Sequence, residues 1–185
     1  MSLHWLPNAI SILRIFLVVP VGWFIVQSKY DAALAVFFVA GFSDALDGFL
    51  AKTFNWHSKL GALLDPLADK LLLTVSFIAL WWAALIPAWL AALVVIRDVV
   101  IVSGATAYNF LIKPVEGNPT IISKVNTALE LLLVLAVLAA AGFGWPPMAA
   151  ITVLGAAVLV TVVISGIDYV WTWTIKAQEG ARENG

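Results

Sequence analysis

Four aspartates, Asp44, Asp47, Asp65 and Asp69, fall within the stretch DALDGFLAKTFNWHSKLGALLDPLADK, between segments that are almost pure hydrocarbon. Asp44 and Asp47 are three residues apart, and Gly61, Asp65 and Asp69 follow one another at intervals of four. Each set therefore lies along one face of its helix. The chain holds no cysteine and only two histidines, His4 and His57, so a metal bound here is a hard, oxygen-liganded ion, Mg²⁺ or Mn²⁺ rather than zinc. Mg²⁺ in such sites completes its shell with water and substrate phosphate, which points to chemistry on a phosphate-bearing ligand. Gly48 and Gly61 expose backbone beside the acids and leave such a ligand room to approach.

Acids in a membrane need a reason. Each costs about 2.5 to 3.5 kcal/mol at mid-bilayer and less toward the interface. Four together repel one another, and some would stay protonated unless divalent cations neutralised them. Two other readings compete with metal binding. The aspartates could be structural, paired with Lys52, Lys59, Lys70 and Arg97, or they could form an ion or proton path. A path asks for acids spread through the membrane depth, whereas these concentrate near one face.

The elements that must position them are membrane helices. Hydrophobic residues make up 63% of the 185 and charged residues 11%, against roughly 25% charged in a soluble domain. Six apolar runs are long enough to cross a hydrocarbon core of about 30 Å: Ala9 to Gln27, Asp31 to Gly48, Ala62 to Leu85, Pro87 to Ile112, Ile122 to Gly142 and Pro147 to Trp173. All must be helical, since lipid offers no partner to a free backbone amide. The expected fold is therefore all-α, a polytopic protein with six transmembrane helices.

The first run reads as a retained span and not a cleaved signal, because no Lys or Arg precedes Arg14 and no small-residue cleavage site lies between Gln27 and Asp31. Lys52, Lys59, Lys113, Lys124, Lys176 and Arg182 crowd the second, fourth and C-terminal connections, whereas the first holds only Lys29. The positive-inside rule then places both termini, and the acids, on the cytoplasmic side of an inner membrane.

Residues 1–175 are expected to form a single domain and 176–185 a polar, frayed tail. Pro87, Pro119, Pro146 and Pro147 mark helix starts, whereas Pro20 and Pro66 fall inside apolar runs and predict kinks or breaks. The nine tryptophans gather near helix ends, as interfacial belts do. Gly104, Ala105 and Ala107 would allow close helix contact.

Asp44-x2-Asp47-Gly48-x2-Ala51-Lys52-x8-Gly61-x3-Asp65-x3-Asp69 resembles the signature of the CDP-alcohol phosphatidyltransferases, D-x2-D-G-x2-A-R-x8-G-x3-D-x3-D. Every fixed position matches except Lys52, which keeps the charge of the family's Arg but not its planar fork. The resemblance implies a six-helix membrane enzyme, usually a homodimer, that displaces CMP from a CDP-linked lipid with two divalent ions, Mg²⁺ or Mn²⁺. Carried over, Asp44, Asp47 and Asp65 are metal ligands, and Asp69 is ligand, catalytic base or both. Asp44, Gly48, Lys52, Gly61 and Asp65 then line the CDP site.

The acceptor site is sought among polar groups at the cytoplasmic helix ends: Asn8, Ser11 and Arg14, then Arg97 and Asp98, then Lys124, Asn126 and Thr127. Arg14, Arg97, Lys124 and Asn126 are the candidate acceptor ligands, since a buried arginine is costly without an anionic partner. Asp98 would orient Arg97, and Glu130 would serve a packing or dimer contact.

Within the family, PTIISKVNTALELLLV, GALLDPLADKLLL and VIRDVVIV resemble eukaryotic-type cardiolipin synthases, which join phosphatidylglycerol to CDP-diacylglycerol and release CMP. Phosphatidylglycerophosphate synthases more often carry a second Lys where Asn126 stands, which suits the dianionic glycerol 3-phosphate. One fewer cation suits a singly charged phosphodiester, so phosphatidylglycerol is the favoured acceptor. SGIDY, residues 165 to 169, instead resembles the phosphatidylglycerophosphate enzymes. The expected partners are these lipids, the bilayer and a second copy of the chain, with no nucleic acid.

Overall fold

The computed structural model describes the backbone over residues 6–54, 59–111 and 120–183, and side chains over residues 10–43, 67–104, 120–169 and 171. Six helices account for the described backbone, without strands: α1 (Leu6–Val26), α2 (Tyr30–Phe54), α3 (Lys59–Trp82), α4 (Ala88–Leu111), α5 (Ile121–Phe143) and α6 (Met148–Glu183). Each coincides with one of the six apolar runs. Two, Ile121–Phe143 and Met148–Tyr169, are long and apolar enough among the described residues to cross a membrane, with shorter apolar stretches at Ile10–Val26 and Tyr30–Ser43.

The helices outrun the hydrocarbon at the acidic end. α2 continues past Gly48 to Phe54, and α3 begins at Lys59 rather than Ala62. Helical hydrogen bonding extends across charged residues that a search for apolar runs excludes. For the same reason, residues 176–183 do not fray: good helix formers such as Ala, Gln, Glu and Arg prolong an existing helix without a new nucleation step. Neither Pro20 nor Pro66 breaks its helix. Each removes a single rung of the hydrogen-bond ladder, and the flanking turns persist.

Short turns close the opposite end of the bundle. Lys29 N–H donates to Phe24 O at 2.9 Å, and Leu85 N–H donates to Leu80 O at 2.9 Å. Both are Schellman-type closures with the residue before in the left-handed region, Ser28 at φ 58° and Ala84 at φ 56°. Gly144, at φ 74°, ends α5 in the same region and donates to Ala140 O.

These turns make consecutive helices antiparallel, so α1, α3 and α5 end where α2, α4 and α6 begin. Trp23, Trp81, Trp82, Trp89 and Trp145 all lie at this end and all are exposed, as an interfacial belt requires. Trp5 and Trp56 lie outside the described residues.

The apolar core fills this half. Val18, Val21 and Ile25 of α1 recur at helical spacing and meet Leu73, Phe77 and Leu80 of α3, Phe37 of α2 and Val134 and Leu138 of α5. Gly22 lets α1 approach α3: a Cβ there would stand 2.9 Å from Val75 Cγ1. Among the described residues α1 packs closely against both α2 and α3, whereas α2 and α3 touch each other little. Among the described residues the two acid-bearing helices are thus held chiefly through α1.

Candidate active site

Polar side chains collect in the other half, where α2 ends and α3 begins. Positions 44, 47, 48 and 52 fall in the last turns of α2, and 61, 65 and 69 in the first turns of α3. The side chains of Asp44, Asp47, Lys52 and Asp65, like Gly48, Gly61 and Asn8, lie outside the described residues. Asp69 is described. Its Oδ1 accepts from Arg14 Nη1 at 2.6 Å, tying α3 to α1.

Arg14 is fully buried, whereas the Asp69 side chain is 36% exposed. A fully buried guanidinium needs an anion within reach. Asp69 supplies it while keeping part of its carboxyl open to the surroundings. Arg14, sought as an acceptor ligand, is therefore bonded to the proposed base.

A second cluster joins α3, α4, α5 and α6. Asp98 Oδ1 accepts from Arg97 Nη1 at 2.7 Å and from Lys70 Nζ. Arg97 Nη2 donates to Ser123 Oγ at 2.9 Å and to Ser165 Oγ at 2.5 Å. Asp98 thus orients Arg97, as expected, and the hydroxyls of α5 and α6 hold the far side of the guanidinium. Thr120 caps α5, accepting from Ser123 N–H at 3.3 Å, so Ser123 is fixed at the first turn.

One turn farther along, Asn126 Nδ2 donates to Glu130 Oε1 at 2.6 Å, and Thr161 Oγ1 donates to Asn126 Oδ1 at 2.8 Å. Asn126 and Glu130 are both fully buried. Glu130, expected as a packing or dimer contact, faces the bundle interior. Asn126 spends both ends of its amide inside the protein. Lys124 is exposed at the start of α5.

Arg97 is thus tied through Asp98 and Lys70 to the turn of α3 that carries Asp69, and Lys124 lies at the start of α5. Sequence reasoning passed over Lys70 as a partner of Asp98, and over Ser123, Thr161 and Ser165 altogether. The signal was present as isolated polar residues at helical spacing on apolar helices, 123, 126 and 130 on α5 and 161 and 165 on α6.

Among the described residues, no group of three or more His, Cys, Asp or Glu is placed to hold a metal. The donor set nonetheless fits a hard divalent ion. Asp69 is partly exposed, Asp65 precedes it by one turn of α3, and Asp44 and Asp47 fall in the last turns of α2, an all-carboxylate set of the kind such an ion takes.

Residues 4–167 match the family described as CDP-alcohol phosphatidyltransferase. A human relative, "Cardiolipin synthase (CMP-forming)", is 36% identical over 180 residues, which cover 89% of this chain and 60% of the relative. A rice relative, "CDP-diacylglycerol--glycerol-3-phosphate 3-phosphatidyltransferase 1, chloroplastic", is 37% identical over 182 residues, covering 89% of this chain and 55% of the relative. The corresponding Escherichia coli K12 protein, "CDP-diacylglycerol--glycerol-3-phosphate 3-phosphatidyltransferase", is 34% identical over 110 residues, 52% of this chain and 56% of its own length. The chain thus spans about 60% of the length of the human protein that it resembles.

Proposed function

The chain belongs to the CDP-alcohol phosphatidyltransferase family, and from that premise we propose that it transfers the phosphatidyl group of CDP-diacylglycerol to phosphatidylglycerol, giving cardiolipin and CMP. The observation that carries the proposal is the carboxyl of Asp69, held at 2.6 Å by a fully buried arginine yet itself 36% exposed. Family membership favours a transferase over an ion or proton carrier built on the same acids.

The chemistry follows from these residues. Asp69 takes the proton of the acceptor hydroxyl as its oxygen bonds to the lipid-side phosphorus, and the diphosphate bond to CMP breaks. Arg14 holds Asp69 Oδ1 and fixes the orientation of the carboxyl that acts as base. Lys124, exposed at the start of α5, draws the acceptor phosphate, and Arg97, fixed by Asp98, Ser123 and Ser165, lines the acceptor site on its inner side. Asp44, Asp47, Asp65 and Asp69 would hold two divalent ions, Mg²⁺ or Mn²⁺, which when bound neutralise charge on the diphosphate and the leaving CMP. Gly48, Lys52 and Gly61 would line the CDP site with Asp44 and Asp65.

Six membrane spans with both termini in the cytoplasm, one domain over residues 1–175 and an inner-membrane location complete the proposal. Support comes from the exposed apolar side chains around the bundle, Phe16, Phe38, Ile96, Leu132 and Val153 among them, a surface that water would not tolerate. A homodimer is proposed on the family pattern.

Charge favours phosphatidylglycerol. In the α3–α6 cluster Lys70 and Arg97 are both bonded to Asp98, which leaves Lys124 as the exposed cation of that region among the described residues. A monoanionic phosphodiester suits that balance better than a dianion. The rice and E. coli relatives favour the second reading, glycerol 3-phosphate as acceptor. Competing the two acceptors on the purified, reconstituted chain with CDP-diacylglycerol, and identifying the lipid formed, decides between them. Cardiolipin as main product supports the first; phosphatidylglycerophosphate overturns it.

A further inference from the structure

Glu130 has no task in the mechanism above, yet it is a fully buried acid inside α5. Its Oε1 is bonded to Asn126, and its Oε2 has no hydrogen-bond partner. Asp98 shows the same division: Oδ1 is taken by Lys70 and Arg97, and Oδ2 has none. Arg97 Nε is the third buried atom in this region without a partner. Asp98 and Arg97 are 4% and 5% exposed.

These atoms belong to one connected cluster. Arg97 donates to Ser123 and Ser165, and Asn126 and Thr161 lie three residues after Ser123 and four before Ser165. The Arg97 layer and the Asn126–Glu130 layer are therefore about one helical turn apart, roughly 5 Å. Glu130 joins this cluster through Asn126, which Thr161 of α6 holds from the other side. Lys70 follows Asp69 in the chain and bonds Asp98, so the Asp98 carboxyl adjoins the turn of α3 that carries the proposed base.

The chemistry of the three atoms selects a ligand. Two buried carboxyl oxygens ask for donors, and the guanidinium N–H asks for an acceptor. A phosphate offers acceptor oxygens and would be repelled by both carboxyls. An ammonium offers no lone pair to Arg97. A hydroxyl offers both, one proton for one of the two carboxyls and lone pairs for the guanidinium N–H.

Resting on the proposed function, we infer that Glu130, with Asp98 and Arg97, is a specificity-determining group that receives the non-reacting hydroxyl of the acceptor's glycerol. Phosphatidylglycerol and glycerol 3-phosphate share this feature: one hydroxyl attacks phosphorus, and its neighbour on the adjacent carbon stays free. The buried carboxyl reads that neighbour, whichever molecule brings it.

The test uses the full chain in proteoliposomes with Mg²⁺ and CDP-diacylglycerol. Two acceptor pairs differ only in that hydroxyl: phosphatidylglycerol against phosphatidyl-1,3-propanediol, and glycerol 3-phosphate against 3-hydroxypropyl phosphate. The native chain is expected to prefer the glycerol member of its working pair by about tenfold or more in kcat/KM, the size of one hydrogen bond to a charged group. Glu130→Gln, which keeps a hydrogen-bonding oxygen, should retain the preference. Glu130→Leu should reduce it below about threefold while KM for CDP-diacylglycerol stays within about twofold. Where Glu130→Leu does not fold, Glu130→Ala takes its place, and equal kcat/KM for both members on the native chain already overturns the inference. An undiminished preference in the Leu or Ala variant also overturns it. Absence of CMP release with all four acceptors removes the transferase proposal itself, a distinguishable outcome.

Discussion

Arg14 Nη1 stands 2.6 Å from Asp69 Oδ1, and the two side chains differ sharply in exposure, 0% against 36%. The arginine belongs to the packed interior between α1 and α3, whereas the aspartate belongs to the site. Fixing a reactive carboxyl from the interior side keeps it in place within the partly exposed site.

Replacing Arg14 with Met should therefore affect both stability and turnover. Unfolding in detergent is expected to show a loss of about 2 kcal/mol, less than for a wholly buried pair because Asp69 is partly exposed. CMP release should fall by roughly a hundredfold, the scale of impaired general-base catalysis. Arg14→Lys, which keeps the charge, should recover part of both. Full activity in Arg14→Met would show that Asp69 works without this support.

Asp98 joins Lys70 and Arg97, so Asp98→Asn should leave two cations without their carboxylate. A loss of about 3 kcal/mol in unfolding free energy is expected. Lys70→Met in the same chain should restore part of it, with a coupling energy of roughly 1 kcal/mol or more in the double-mutant cycle. Additive effects would mean that the ion pair contributes nothing as a pair.

Gly22 tests the packing that holds the acid-bearing helices. A Cβ at this position meets Val75 Cγ1 at 2.9 Å, and a β-branched side chain has little freedom to turn away. Gly22→Ala should cost about 1 to 3 kcal/mol. Gly22→Ala with Val75→Ala should recover most of the α1–α3 contact, read as the midpoint of thermal unfolding.

Removing divalent ions with EDTA should abolish CMP release, and Mg²⁺ or Mn²⁺ should restore it. Ion binding should also raise thermal stability, by about 2.7 kcal/mol at a hundredfold excess over Kd. This second readout requires no turnover. Chelation that changes neither quantity would contradict the metal assignment.

The helices were legible in the sequence because a membrane span is written in a long apolar run, and all six runs became helices. Their acidic ends were less legible. Residues 49–54 and 59–61 are helical through backbone bonding, whereas the apolar signal stops before them. The Asp98 to Arg97 contact could be foreseen from adjacent opposite charges. The partners of Arg97 on α5 and α6 could not, since Ser123 and Ser165 are brought together only by helix packing. Glu130 was legible only as a packing or dimer contact, since a lone acid on an apolar helix does not reveal which neighbour it faces; it packs in the bundle interior.

The most direct test of the central claim compares the purified chain with its Asp69→Asn variant, both folded by circular dichroism, in vesicles containing CDP-diacylglycerol, phosphatidylglycerol and Mg²⁺. The account predicts CMP and cardiolipin in equal amounts from the native chain, and at least a hundredfold less, roughly, from the variant. Equal turnover by both, or no CMP from the native chain with either phosphatidylglycerol or glycerol 3-phosphate, would contradict it.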